Sequence, residues 1–151
     1  MAEVQIDYAA VFRDLPIPVL LLTPDFVVAD ANPAYLEVTG RKREELLGRG
    51  LFEAFPDNPA NPDATGVRDI SASFRQVLAT RKPGAVSLQR YDVEVPGHPG
   101  MFATRYWSAV NAPVFGRNGE IVLIVGYVEE MTERVRKFIG GLGQAEPFDD
   151  F

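Results

Sequence analysis

The sequence predicts an α+β protein: a five-stranded antiparallel sheet with short helices on one face, a cap helix before it and an exit helix after it. Two observations lead to this class. Strand-like apolar runs come in hairpin pairs towards both ends of the chain, and capped helical patterns lie between them. The predicted organisation is an N-terminal cap helix over residues 1–16, a core over 17–131, an exit helix over 132–139 and a flexible acidic tail over 140–151.

Composition narrows the range of functions. The 151 residues carry a formal net charge of −6 and include no cysteine. An acidic protein lacks the basic surface that non-specific binding to nucleic acid or to anionic membranes requires. Without cysteine there is no disulfide, thiolate nucleophile or cysteine-bound metal. No apolar run approaches the roughly 20 residues that cross a bilayer, and the first residues lack a signal-peptide pattern. We therefore expect a cytoplasmic protein that binds neither nucleic acid nor membrane.

The N-terminal third predicts a helix followed by a hairpin. An apolar face at helical spacing indicates a helix over residues 6–15. Two short apolar strands, residues 19–23 and 26–30, then surround a turn at Pro24 and Asp25.

The middle of the chain is rich in helix signals. Asn32 is a preferred N-cap residue, Pro33 suits the first helical position, and Gly40 suits a helix end. The elements predicted after it are a short helix over 44–47, an aromatic-rich turn over 51–55, a polar loop over 56–69 and a one-sided helix over 70–81 that Asp69 caps.

The last third predicts the remaining strands. A strand over residues 85–95 and a turn over 96–100 precede two long apolar runs, which Gly116-Arg117-Asn118-Gly119 separates. That tetrapeptide is a strong hairpin signal, because Asn and Gly accept positive φ at little cost. The second run, 120–128, is apolar on both faces, so we place it in the centre of the sheet.

Two segments resemble the PAS (PAS/PAC sensory-box) family. NPAYLEVTGRKREELLGR, at residues 32–49, is similar to the helix pair after the second strand. NAPVFGRNGEIVLIVGYVEEMTER, at residues 111–134, is similar to the last hairpin and its exit into a helix. The resemblance covers about residues 7–137. It implies the PAS fold and a sensory or dimerisation module of a signal-transduction protein, as in bacterial sensor kinases and two-component systems.

The resemblance also implies a site. In this family a ligand lies between the sheet and the helices, and the signal leaves through the terminal helices towards an effector such as a histidine kinase, in the same chain or another. The exit would lie at Glu130 and Thr132, where the family usually has Asp-x-Thr. The pocket residues that it suggests are Tyr35, Phe52, Phe55, Phe74, Leu78, Trp107, Asn111 and Val128.

The cofactors of the best-known subgroups are not expected here. Flavin-binding members carry a cysteine at the position of Leu51, and haem-binding members take a histidine from the helix over 70–81, which has none. His98, the single histidine, falls in a predicted turn without metal-binding partners, and we interpret it as an exposed loop residue. We therefore expect no haem, no flavin adduct and no metal, and leave an unidentified small molecule open.

Asn111 carries two interpretations. It lies four residues from Trp107 on a predicted strand, so both share a face. A covered Asn needs a partner, either a structural hydrogen bond or a ligand. The aromatic residues likewise fit a pocket or a plain core. Beside the sensory module, a ligand-free interaction domain and a small cofactor-free enzyme stay open. The enzyme needs a pocket carboxylate, which the loop and cap positions of the acids disfavour.

We also expect a homodimer. Alternate residues of the central strand leave the helix-covered face, and together they make a larger apolar patch than soluble monomers usually expose. The N-terminal helix is too short to cover it. The predicted interface comprises Tyr8, Val11, Phe12, Leu123, Val125 and Tyr127.

Overall fold

The predicted α+β class is confirmed in a computed structural model, which describes residues 3–144. The strands are β1 (Val19–Leu22), β2 (Val28–Ala31), β3 (Gly84–Arg90), β4 (Val93–Glu94), β5 (Phe102–Ala103), β6 (Tyr106–Phe115) and β7 (Ile121–Glu130). The helices are α1 (Tyr8–Asp14), α2 (Pro33–Thr39), α3 (Arg43–Leu46), α4 (Leu51–Ala54), α5 (Gly66–Thr80) and α6 (Thr132–Gln144).

Five antiparallel strands form the main sheet, in the order β2-β1-β7-β6-β3. β7 is central, as its apolar sequence predicts. Its register with β6 pairs Asn111 with Gly126 and Ala109 with Val128. Because strand residues alternate between faces, Gly126 and Val128 face the helices, whereas Val125 and Tyr127 lie on the outer face.

The first hairpin has a longer turn than its sequence indicates. Phe26 was predicted to begin the second strand, but its φ is 65°, which is incompatible with a strand. The turn is held by Thr23, whose side-chain oxygen accepts from the amide of Val27 at 3.2 Å. The second strand therefore begins at Val28.

The predicted cap at Asn32 is confirmed, and it does more than cap. Its Oδ1 accepts from the amide of Tyr35 in α2 at 3.1 Å and from that of Val19 in β1 at 2.9 Å, while Nδ2 donates to the Ile17 carbonyl at 2.9 Å. The fully buried side chain thus joins the start of α2 to the first strand. Gly40 ends this helix in the left-handed conformation, with φ 68°.

The single strand predicted over residues 85–95 is wrong, because the chain leaves the sheet after Arg90. β4 pairs instead with β5 in a separate two-stranded sheet. Between β3 and β4 the Asp92 side chain turns inward. It accepts two hydrogen bonds from Arg90 at 3.0 Å and one from Asn58 at 2.9 Å. These local bonds are not visible in strand periodicity.

Two helix predictions also need correction. The segment 51–55 was predicted as a turn, but its first four residues form a short helix, α4. The predicted cap at Asp69 is wrong, because α5 already begins at Gly66, and Asp57 from the preceding loop accepts from the Val67 amide at 3.1 Å. Gly66 allows this start, since a Cβ there would lie 2.6 Å from the Tyr91 ring.

The terminal helices differ from their predictions in length. α6 continues through Gly140 and Gly141 to Gln144, so the break predicted at the two glycines is wrong. The rest of the predicted tail, residues 145–151, lies outside the described residues. α1 is capped by Asp7 and has no buried residue. It flanks a groove beside β2 and α2 that includes Pro33 and Leu36, so it does not lie across the outer face of β6 and β7.

Candidate functional site

A cavity of about 90 Å³ lies between the main sheet and the helices. β6 and β7 form its floor, α2 and α5 form two walls, and the connection between β3 and β4 closes a third side. The lining residues are Leu20, Tyr35, Thr39, Leu51, Phe55, Ile70, Phe74, Val86, Gln89, Tyr91, Val93, Trp107, Ala109, Asn111, Gly126 and Val128. No carboxylate, lysine or arginine belongs to this set.

Most of the predicted pocket residues surround this cavity. Those that line it are Tyr35, Phe55, Phe74, Trp107, Asn111 and Val128. Phe52 and Leu78 do not line it; they are partly buried and pack against the core cluster. Phe52 instead meets Phe26 and Phe74 edge-on or tilted, with ring centroids 6.2 and 6.1 Å apart. A role in binding a ligand stays a prediction for all eight.

Several lining residues were missed. Ala109 and Gly126 had a usable signal, because each lies two residues from a predicted pocket residue on the same strand face. Tyr91 had none, since it lies in the irregular connection that periodicity treated as a continuous strand. Thr39 follows Tyr35 by one helical turn, but polar residues are poor pocket indicators from sequence.

Asn111 has a structural partner on one side of its amide only. Its Nδ2 donates to Ser73 Oγ in α5 at 3.1 Å, which joins the sheet to the helix. Its Oδ1 accepts no hydrogen bond from the described residues. A Cβ on Gly126 would lie 3.0 Å from this oxygen, so the glycine provides the space in which the amide sits. The two interpretations of Asn111 are therefore compatible, because one bond is structural and one acceptor stays available.

Tyr91 closes the side of the cavity beyond β3. Its hydroxyl donates to the Phe55 carbonyl at the end of α4, and its carbonyl accepts from Trp107 Nε1 at 2.9 Å. Burial raises the pKa of the Tyr91 hydroxyl, so it stays protonated and able to donate. One residue thus ties α4 to the strand that forms the cavity floor.

Arg41 binds the same end of α4 as Tyr91 does. Its guanidinium donates to the Ala54 carbonyl at 3.0 Å, lies 4.9 Å from the Phe55 ring centroid and pairs with Glu94 at 3.6 Å. Phe55 in turn meets Tyr35 edge-on, with centroids 6.4 Å apart. These contacts hold an aromatic wall of the cavity in place.

The predicted exit residues are bound to the start of β6. Arg105 Nη1 donates to Glu130 Oε1 at 2.9 Å and to the Val38 carbonyl of α2 at 3.3 Å. Thr132 Oγ1 accepts from the Tyr106 amide at 3.0 Å, and the Met131 amide donates to the Tyr106 carbonyl at 2.7 Å. α2 also carries Tyr35 and Thr39 into the cavity wall, so one helix contacts both the cavity and the exit.

Apolar side chains are exposed on three surfaces outside the cavity. The outer face of the sheet exposes 41% of Val110 on β6 and 52% of Leu88 on β3, and the neighbouring strand β7 adds half-buried Leu123, Val125 and Tyr127. On α1, Tyr8 and Val11 are exposed, and Phe12 is half-buried. On α6, Phe138 and Ile139 are exposed.

His98 is exposed in the turn between β4 and β5, as interpreted from the sequence. Within residues 3–144, no group of three or more histidine, aspartate or glutamate side chains is arranged to hold a metal ion.

Comparison with protein-family models decides the classification. The model described as PAS fold matches residues 12–136. This chain belongs to the PAS family. PAS domains generally act as sensory modules of signalling proteins. One relative is a histidine kinase, and its catalytic part lies beyond the region that this chain matches.

The relatives of this PAS domain agree with that class. The blue-light-activated histidine kinase of Rhizobium johnstonii is 30% identical over 112 residues, which cover 73% of this chain and 28% of the relative's length. The PAS domain of a Colwellia psychrerythraea protein superposes with a TM-score of 0.65 at 13% identity, covering 84% of this chain and 96% of that one. The PAS domain of BvgS from Bordetella pertussis has a TM-score of 0.57 at 22% identity, covering 90% and 94%. In the part of this chain that the structure describes, no helix is both long and apolar enough to cross a membrane.

Proposed function

We propose that this PAS domain detects a small ligand in the cavity between sheet and helices and passes the change to an effector through α6. The observation that carries the proposal is the cavity itself. It lies where buried side chains of the sheet and helices converge, and the Asn111 acceptor in its wall has no partner among the described residues. A filled core would leave neither the space nor the unpaired acceptor.

The path to the effector runs through α2 and Arg105. A ligand against Tyr35 or Thr39 displaces α2. Arg105 donates hydrogen bonds both to the Val38 carbonyl in α2 and to Glu130, so it connects this helix directly to Glu130. Glu130 ends β7, and α6 begins two residues later at Thr132. The effector that we propose is a histidine kinase, because the Rhizobium relative is one and is much longer than its matching region.

We propose a homodimer as the working form. The outer sheet face and α6 both expose apolar side chains, and a two-fold pairing covers the same surface on two copies. α1 lies apart from that face, beside β2, so its exposed Tyr8 and Val11 would form a second contact.

The other functions receive less support. An interaction domain with a filled core does not account for the cavity. A cofactor-free enzyme would use a pocket carboxylate with a raised pKa. Burial of Asp92 alone would raise its pKa, but the hydrogen bonds from Arg90 and Asn58 prevail and lower it. We also propose that neither haem nor flavin binds, since about 90 Å³ is far below the roughly 300–1,000 Å³ of sites for larger ligands.

The proposal is tested by titrating ¹⁵N-labelled protein with a set of small neutral fragments. Trp107 is the single tryptophan and lines the cavity, so its indole N–H gives one assignable resonance beside the ligand. We expect binding fragments to shift this resonance in the wild type. The control is Ala109→Leu, whose larger side chain extends into the cavity and should abolish the shift. An unresponsive wild type, or an equally responsive Ala109→Leu, would refute the proposed site.

A further inference from the structure

The polar groups in the cavity wall divide into two classes. Most are already bonded to the protein, so they have no free donor for a ligand. The bonded groups are Thr39 Oγ1 to the Tyr35 carbonyl at 2.8 Å, Gln89 Nε2 to the Arg90 carbonyl at 2.9 Å, Trp107 Nε1 to the Tyr91 carbonyl at 2.9 Å and the Tyr91 hydroxyl to the Phe55 carbonyl.

Two groups differ from these. Asn111 is 3% exposed and Tyr35 is 6% exposed. Neither Asn111 Oδ1 nor the Tyr35 hydroxyl is hydrogen-bonded within residues 3–144. Burial raises the pKa of Tyr35, so its hydroxyl keeps the proton and can donate it in a hydrogen bond. The buried part of the cavity wall therefore offers one amide acceptor, Asn111 Oδ1, and one hydroxyl donor, Tyr35, while the half-buried Gln89 leaves its Oε1 unbonded among the described residues.

Size and charge limit what can occupy this space. A dry cavity of about 150 Å³ accommodates benzene. The cavity here is smaller, about 90 Å³, which suits roughly four non-hydrogen atoms by that comparison. No ionised side chain lines it, so a charged ligand would be buried without a counter-charge, at high free-energy cost.

This inference rests on the ligand-binding role proposed above. We propose that the cavity selects a small uncharged molecule with an apolar body and a hydroxyl-type group. The group donates a hydrogen bond to Asn111 Oδ1, and the ligand oxygen accepts one from the Tyr35 hydroxyl. Selection for a donor arises because a ligand without one covers the Asn111 oxygen and does not bond to it.

A pair of isomers isolates the donor. 1-Propanol and ethyl methyl ether have the same atoms and both have an acceptor oxygen, but only the alcohol donates. Each is titrated into ¹⁵N-labelled wild-type protein in a sealed tube while the Trp107 indole resonance is followed. We expect 1-propanol to bind about five- to tenfold more tightly, the worth of one net hydrogen bond.

Variants assign the preference to atoms. Asn111→Leu should remove the difference between the isomers. Tyr35→Phe should weaken both by a similar factor, because both oxygens accept from the hydroxyl. Ser108→Ala, on the same strand but on the outer face of the sheet, should leave the preference intact. If Asn111→Leu does not fold, the wild-type comparison and Tyr35→Phe still decide.

The outcomes separate this inference from the broader function. Equal binding of the isomers, tighter binding of the ether, or tighter binding of n-propylammonium or acetate than of 1-propanol would overturn the proposed ligand class. If neither isomer moves the Trp107 resonance but other neutral fragments do, the class is wrong and ligand binding stands. If no fragment moves it, both proposals fail.

Discussion

Gly126 lies directly opposite Asn111 in the β6–β7 pairing, and a methyl group on this glycine would come within 3.0 Å of the Asn111 side-chain oxygen. The φ angle of Gly126 is not in the left-handed region, so backbone strain does not require glycine there. Space favours it instead, because an added Cβ would press on the Asn111 oxygen. The cavity amide and the central glycine form one unit, in which the missing Cβ provides room for the polar side chain.

Gly126→Ala should therefore destabilise the fold by about 1 kcal/mol, although alanine normally suits a strand better than glycine. The added methyl displaces the Asn111 amide and strains its bond to Ser73. Urea denaturation measures the change. Gly140→Ala in α6 is the control, because a Cβ there meets no atom within 4 Å, and its stability should stay equal or rise. A Gly126→Ala protein as stable as the wild type would contradict the proposed unit.

Asn32→Ala should cost about 2–4 kcal/mol, because the change removes a helix cap and leaves the buried Val19 amide and the part-buried Ile17 carbonyl without their partner. Asp7→Ala is the matched comparison. Asp7 caps α1 through the Ala10 amide at 3.1 Å, but α1 has no buried residue, so the loss should stay below about 1 kcal/mol. Chemical denaturation of both variants tests the difference. Equal losses would show that Asn32 acts only as a cap.

Asp92 should contribute to the acid limb of the stability profile, which is the fall in the free energy of unfolding as the pH is lowered. Burial opposes its charge, but hydrogen bonds from Arg90 and Asn58 hold the pKa of the folded carboxyl below its ordinary value. A lowered folded pKa stabilises the protein above the unfolded pKa of about 3.9, and this contribution is lost as pH falls through the folded value. Asp92→Asn should therefore be less stable at neutral pH and lose less stability on acidification.

Denaturation across this acid range distinguishes Asp92 from an ordinary surface acid. Asp14→Asn breaks an exposed pair with Arg13, which should contribute little to stability. Its acid limb should follow that of the wild type. If Asp92→Asn retains the full wild-type acid limb, the Arg90–Asp92–Asn58 cluster does not have the proposed role.

The sequence was most informative where one physical rule acted alone. The cap at Asn32 and the Gly116–Gly119 hairpin follow from local backbone preferences, and both were predicted correctly. Alternation along β6 placed Trp107 and Asn111 on one face, where they line the cavity. The α+β class and the central place of β7 followed from these elements together with the family resemblance.

The errors occurred where distant side chains decide the backbone. The break after β3 depends on Asp92 meeting Asn58, 34 residues earlier in the chain. The start of α5 depends on Asp57 and on the Tyr91 ring against Gly66. Local propensity carries no information about such partners. α6 likewise continues through two glycines, although each glycine costs about 1 kcal/mol of helix stability relative to alanine.

The proposed dimer makes a prediction for the outer sheet face. Val125→Glu places a charge at the centre of the proposed interface and should dissociate the dimer while the domain stays folded. Sedimentation at tens of micromolar measures the oligomeric state, and circular dichroism checks the fold. Val122→Glu is the control, because Val122 lies on the same strand, is 40% exposed and points to the other face. A monomeric wild type, or a dimeric Val125→Glu, would show that this face is not the interface.

The central claim is that ligand binding in the cavity changes the structure at the start of α6. It is tested most directly by following one titration at two places in ¹⁵N-labelled protein. The probe is a neutral fragment that shifts the Trp107 indole, and the second readout is the backbone amides of Tyr106, Met131 and Thr132. Arg105→Met serves as the matched variant, because it removes the bonds to Val38 and Glu130 without changing the cavity lining.

We predict that the exit amides shift with the same dissociation constant as Trp107 in the wild type. In Arg105→Met the Trp107 response should persist while the shifts at Met131 and Thr132 shrink. If the Trp107 resonance shifts in the wild type and the exit amide resonances do not, the cavity binds a ligand but the change is not passed to α6, and the account is wrong.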